Sequence, residues 1–185
     1  MIGRWTGAID AFSLSNTWKN ILTVFIPILA FSVVIGVNQW KGNDMNLFYS
    51  YIYVIGALIF GIFITRNKPA AMLLYFGVMG AIAMIIGLST TGNLSVFAFL
   101  SGGLACSIMW PCIFSLSLKN IGSATSEGSA LLIMMILGGA VIPPIQGALA
   151  DTWGILPSYL ITLPCFIYLI WFAWKVPSWN RVAAE

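Results

Sequence analysis

The sequence predicts an all-α membrane protein, a bundle of helices that crosses a bilayer several times, and three observations carry that prediction. Of the 185 residues, 60% are hydrophobic and 7% are charged, with a mean hydropathy of +0.98. The apolar residues come in stretches of about 20, the length a helix needs to cross a hydrocarbon core roughly 30 Å thick. The few charges fall in the short gaps between those stretches. A soluble domain carries far more charge, and a disordered chain combines low hydrophobicity with dense charge, so both classes are excluded.

Taken in order, the first apolar stretch is short. Ile2 to Leu14 is 13 residues, about 20 Å of helix, and reads as the back half of a crossing. Residues 1–16 are therefore expected to form a partial helix, and the chain to be a fragment or a shortened form of something longer. Met1 opens directly onto Gly3-Arg4-Trp5-Thr6-Gly7, and no removable secretory leader is expected. Six stretches of spanning length follow: Ile21 to Gln39, Leu47 to Thr65, Ala70 to Ser89, Val96 to Leu118, Ala130 to Ala150 and Ile155 to Trp174. The breaks between them hold turn residues and charge, as in Lys41-Gly42-Asn43-Asp44, Arg66-Asn67-Lys68-Pro69, Thr90-Thr91-Gly92-Asn93, Lys119 to Gly128 and Asp151-Thr152-Trp153-Gly154. One bundle over 1–185 accounts for the whole length, since no break is long enough to hold a soluble domain.

If successive stretches alternate direction, seven basic residues (Arg4, Lys19, Arg66, Lys68, Lys119, Lys175 and Arg181) fall on one side, and Lys41 alone on the other. The positive-inside rule then places the Lys119 loop and the 176–185 tail in the cytoplasm, with Asp44 and Asp151 outside. Trp18, Trp40, Trp153, Trp174 and Trp179 sit at stretch ends, where an amphipathic ring prefers the headgroup level. The expected location is a membrane spanned several times, with the lipid bilayer as the first partner.

Several chemistries are excluded. The net charge of +3 comes with no clustered basic face, so no nucleic-acid partner is expected. Histidine is absent, which removes the commonest general base and metal ligand. Cys106, Cys112 and Cys165 lie inside apolar runs without metal spacing and read as buried small hydrophobes. No catalytic constellation or phosphate-cradling loop is present, so neither enzymatic activity, a metal nor a cofactor is expected.

The positions that could carry function are those that break the apolar pattern. Gly138-Gly139 followed by Pro143-Pro144 interrupts one stretch, and Pro111 interrupts another. Such breaks in lipid are tolerated where neighbours or a cavity satisfy the freed backbone groups, and they often border transport sites. Ser107, Trp110 and Phe114 share one helical face, and Met135, Gly138, Ile142 and Gln146 trace another. An aromatic beside small and amide groups can stack a sugar ring and bond its hydroxyls. The alternative is close packing through small residues such as Gly102 and Cys106, with Gln146 as interhelical glue. Asp10 is the one carboxylate inside an apolar stretch and lies near its end, where a solvated, interfacial position is expected.

Three blocks resemble a known family. Met1 to Gly7, Ser107-Ile108-Met109-Trp110-Pro111-Cys112-Ile113-Phe114-Ser115-Leu116 running on to Gly122, and Ile133 to Gly147 with Gly138-Gly139, Pro143-Pro144 and Gln146, followed by Ala150-Asp151, look like the C-terminal half of the fucose:proton symporter family. That family lies in the major facilitator superfamily, and its glucose/galactose transporter branch is the most similar. The resemblance implies the C-terminal part of a major facilitator fold, with about six full crossings and a partial first one. It makes 70–175 the family's last four helices and 20–65 an extra helix pair. It implies a proton-coupled carrier of a hexose, fucose-, glucose- or galactose-like, that lies in a cell inner membrane and works by alternating access. Ser107, Trp110, Gly138 and Gln146 become candidate substrate contacts, with Arg4, Pro143 and Pro144 gating or structural. It also implies that an N-terminal half, with the acidic groups of proton coupling, is missing. On this reading the chain alone does not carry out proton-coupled uptake. The competing expectation is a non-transporting membrane module that pairs with another half-transporter.

Overall fold

The computed structural model describes residues 16–41, 51–65, 68–119 and 121–182. Arg4, Asp10 and the partial helix expected over 1–16 lie outside all or nearly all of these residues, as does Asp44. Among the described residues every regular element is helical: α1 (Asn16–Trp40), α2 (Ile52–Thr65), α3 (Pro69–Ser89), α4 (Asn93–Ser117), α5 (Thr125–Met134), α6 (Gly138–Trp153), α7 (Ile155–Ser158) and α8 (Thr162–Val182). Single 3-10 turns precede α5, join α5 to α6 and join α7 to α8. Among the described residues, five apolar helical runs are long enough to cross a membrane, including Gly122–Trp153 and Ile155–Pro177. The helix α2 is shorter, at 14 residues or about 21 Å; residues 47–50 of the stretch predicted there lie outside the described residues. The protein is a multi-spanning helical membrane bundle.

The turns follow from the residues in the breaks. Gly92, at φ 71°, reverses the chain between α3 and α4 in a conformation that costs other L-residues strain. The buried Ser95 hydroxyl then donates to the Gly87 carbonyl at 2.8 Å and ties the two helices together. Gly154, at φ 95°, ends α6, its amide donating to Ala150 at 2.9 Å. Pro69 occupies the first turn of α3, where its missing N–H costs no helical hydrogen bond.

The core is built around α3. Leu73, Phe76 and Met84 of α3 pack with Leu58 and Ile62 of α2, with Ile108, Met109, Cys112 and Leu116 of α4, and with Phe166, Ala173 and Val176 of α8. Hydrocarbon solvates the outside of such a bundle as well as a core would, so close van der Waals contact holds the helices together. Glycines supply it. Where Gly80 lacks a side chain, Phe166 presses in, and where Gly77 lacks one, Ile170 does. The outward faces of α1, α2 and α3 carry Phe25, Val33, Phe60, Ile64, Ile82 and Ile85, all exposed, as expected for helices solvated by lipid.

One sequence reading is corrected. Of the three cysteines only Cys112 is buried, and Cys106 and Cys165 are exposed. Cys106 lies one position beyond the fully buried Ala105, which turns it about 100° around the helix and away from the α3 contact.

Candidate functional site

The residues singled out from the sequence fall on two helices. On α4, Ser107 and Trp110 are both half-buried, one turn apart on the same face. The Trp110 ring lies 6.5 Å from that of Phe114, so the aromatic pair continues the face along the helix. Pro111 sits inside α4 and has no N–H to offer the Ser107 carbonyl four residues back. The Ser107 hydroxyl donates to the Leu104 carbonyl at 2.7 Å, which leaves its oxygen lone pairs as acceptors. With the Trp110 indole N–H as a donor, this turn of α4 can present both halves of a hydrogen-bonding pair close to an aromatic face.

On α6 the pattern recurs more strongly. A single 3-10 turn, Met135–Leu137, separates α5 from α6, and the helix resumes at Gly138. The predicted interruption is therefore a tightened turn just ahead of the glycine pair, while Pro143 and Pro144 lie within the helix without ending it. Together they withdraw the N–H partners of the Gly139 and Ala140 carbonyls. Gln146 is half-buried, whereas Gly138, Pro143 and Pro144 are exposed. Side chains added at Gly138, Gly139 or Gly147 would meet nothing within 4 Å. No residue of α5 or α6 is buried. A 32-residue apolar run, Gly122–Trp153, thus stands against the bundle with none of its most apolar window enclosed.

Ser107 and Trp110 are brought together on α4, and Gly138 and Gln146 share α6. The main packing of α4 is on α3, and that of α6 is on α7 and the adjoining 3-10 turns, so the two pairs are not joined across a principal helix contact. Two open cavities lie elsewhere: one of about 510 Å³ beside Thr65, Leu74 and Tyr75, and one of about 320 Å³ beside Phe31, Ser32 and Gln39. Neither is lined by Ser107, Trp110, Gly138 or Gln146. The sequence reading passed over Tyr51, whose ring lies 6.4 Å from Phe31 and 6.1 Å from Phe97 and so links α1 with α4. Among the described residues, no three His, Cys, Asp or Glu side chains converge in a way that could hold a metal.

Comparison with known proteins finds relatives that are named as sugar transporters. The glucose/galactose transporter of Brucella abortus (strain 9-941) is 31% identical over 166 residues, which is 90% of this chain and 40% of that protein. The L-fucose-proton symporter of Escherichia coli (strain K12) is 32% identical over 111 residues, 60% of this chain and 25% of that one. The chain is homologous to these transporters over most of its own length. A putative glucose/galactose transporter of Helicobacter pylori (strain ATCC 700392 / 26695) agrees, at 29% identity over 153 residues, 80% of this chain and 38% of that protein. The chain spans about 40% of the length of the Brucella relative. No protein-family model matches it, and neither does any solved structure. In this chain the Ser107-Trp110-Pro111 turn and the Gly138-to-Gln146 turn are two places where an apolar helix carries polar side chains beside carbonyls freed by proline.

Proposed function

We propose that this chain is the C-terminal portion of a proton-coupled hexose transporter of the inner membrane that works by alternating access, and that it is not an enzyme. The observation that carries the reading is the likeness to sugar transporters over 90% of the chain but 40% of the transporter. The apolar run Gly122–Trp153, none of whose most apolar window is buried, supports it, since a helix that lines a path between two bundles lacks half of its neighbours when one bundle is absent. On this reading Ser107 and Trp110 on α4 and Gly138 and Gln146 on α6 face the sugar. Pro143 and Pro144 let α6 bend, and Arg4 has a gating or structural role. The C-terminus and the Lys119 loop are cytoplasmic, in line with the seven-to-one basic bias.

The test reconstitutes the purified chain in liposomes, imposes an inward proton gradient and follows labelled hexose. The expected result is no accumulation above empty liposomes for the chain alone, and gradient-driven accumulation, abolished by an uncoupler, when the remaining portion of the transporter is supplied with it. Accumulation by the chain alone overturns the account of a missing half. Failure with the full complement favours a non-transporting membrane module.

A further inference from the structure

The groove between α2 and α3 lies apart from the residues assigned to the sugar path. It encloses about 510 Å³ and is walled by Ala71, Leu74, Val78 and Ile82 of α3, with Tyr75 beside them and Thr65 at the end of α2. Beside it the Tyr75 ring folds over Gly61 of α2, where an added Cβ would stand 2.2 Å from Tyr75 Cε1. From Ala71 to Ile82 the groove runs about 16 Å along the helix axis, close to half of a hydrocarbon core of roughly 30 Å. That is the depth of one leaflet. An apolar cleft of this kind does not hold water.

Its mouth has the opposite character. The Lys68 amide donates to the Thr65 carbonyl at 3.1 Å, and its carbonyl accepts from Met72 at 2.9 Å. Those two bonds fix Lys68 within one turn of groove residues on both helices. Lys68 is exposed, and no side chain caps the first turn of α3, which opens with Pro69. A cation and an uncapped helix N-terminus side by side attract an anionic group.

We propose that this groove binds one anionic glycerophospholipid, with an acyl chain along α3 and the phosphate at Lys68 and the first turn of α3. Lipid hydrocarbon touches every outward face of the bundle. This groove differs because Lys68, within one turn of its lining residues on both helices, brings a positive charge beside an apolar cleft one leaflet deep, the complement of an anionic lipid rather than of a neutral one. The inference needs only that the chain spans a membrane, and it stands or falls apart from the sugar reading.

The experiment places the full chain in nanodiscs of phosphatidylcholine with a trace of phosphatidylglycerol carrying a photoactivatable acyl chain, beside a phosphatidylcholine probe with the same chain. Crosslinks are then mapped by mass spectrometry. The expected result is labelling between Ala71 and Ile82 with about a fivefold preference for the anionic probe, the scale of one lysine near a membrane surface. Lys68→Gln should bring the ratio close to one, while Lys41→Gln leaves it unchanged. Val78→Trp, at a partly exposed position, should fill the groove and cut labelling there by both probes without changing that at Ile167 on α8. Circular dichroism checks that each variant keeps its helices. Equal labelling by the two headgroups, a ratio insensitive to Lys68→Gln, or labels spread as densely over Ile167 as over the groove overturns the site.

Discussion

Gly80→Ala tests whether the α3–α8 contact is as close as the structure has it. The added methyl would stand 2.3 Å from Phe166 Cε1, 2.8 Å from Cζ and 3.0 Å from Cδ1. Ordinary contact begins near 3.4 Å, so the ring edge must retreat by about 1 Å, and Phe166, 4% exposed, has core on its other sides. A gap of that size forfeits a quarter to a half of the dispersion energy of the contacts it opens, and overpacking of a close-packed core costs about 1–3 kcal/mol. Against this, Ala is favoured over Gly inside a helix by up to about 1 kcal/mol. With the full helix gain the net expectation is a loss of about 0–2 kcal/mol, and about 1–3 kcal/mol relative to a glycine whose added methyl meets nothing. Two other glycines supply the controls. At Gly102 the new methyl meets the tip of Met84, whose Cε is 2.2 Å away while its Sδ is 3.7 Å away, and a flexible thioether can swing aside; the change should be close to neutral. At Gly103 nothing lies within 4 Å, so Ala should be neutral or stabilising. The assay is reversible unfolding of the detergent-solubilised chain by sodium dodecyl sulfate, followed by circular dichroism. Phe166→Leu in the Gly80→Ala background should recover part of the loss, and the coupling should exceed about 0.5 kcal/mol. If Gly80→Ala proves as stable as Gly103→Ala, the packing described for α3 and α8 is wrong.

Ser95→Ala should cost about 0.5–1.5 kcal/mol in the same unfolding assay, since it removes the buried hydroxyl bonded to Gly87 at 2.8 Å. Cysteines introduced by Asp44→Cys or Asp151→Cys should react with an impermeant maleimide from outside the cell, and one introduced by Ser123→Cys should not; efficient external labelling at 123 reverses the proposed topology. In a complete transporter containing this chain, Gln146→Ala should weaken apparent sugar affinity roughly tenfold to a hundredfold, the equivalent of about 1–3 kcal/mol for a lost hydrogen bond, and unchanged uptake assigns Gln146 to helix packing.

Much of the fold could be read from the sequence because lipid makes one-dimensional demands. An apolar run has to be long enough, and the chain has to turn where charge and glycine allow it. Thus α3 begins at Pro69, one residue from the expected Ala70, and ends as expected at Ser89, and the reversals at Gly92 and Gly154 fall in breaks marked by their turn residues. What the sequence hides is the side each helix turns inward. In a soluble bundle hydrophobic periodicity marks that side, but here both faces are apolar, and the choice rests on which small residues meet which large ones. Nothing local told Cys112, in the core, from Cys106, one and a half turns earlier and exposed. The pairing of Gly80 with Phe166, and of Tyr51 with Phe31 and Phe97, likewise depends on contacts between residues far apart in the chain. The candidate sugar contacts were legible as types, an aromatic, a hydroxyl and an amide beside helix breaks, whereas their mutual placement depends on how α4 and α6 pack.

The distribution of glycine and proline separates two kinds of helix within the bundle, and the separation bears on the proposed function. In α3 the glycines face inward and are filled by neighbours, as Gly77 is by Ile170, Gly80 by Phe166 and Gly87 by Phe99, and the helix contains no proline beyond its first turn. Such an element is fixed on several sides at once, because any tilt opens gaps along three contacts. In α6 the glycines are bare, Gly138, Gly139 and Gly147 having nothing within 4 Å, and two prolines follow inside the helix. Its backbone lacks two of its own hydrogen bonds there, which lowers the cost of bending, and no side-chain contact at those glycines resists the motion. A carrier that exposes a sugar first to one side and then to the other needs both kinds: a packed frame that keeps its shape, and a helix with polar groups at depth that can tilt against it. The frame is α3 with α4 and α8. On the proposed reading α6 is the moving element, and the carbonyls freed by Pro143 and Pro144 are available to whatever lines the path across from it.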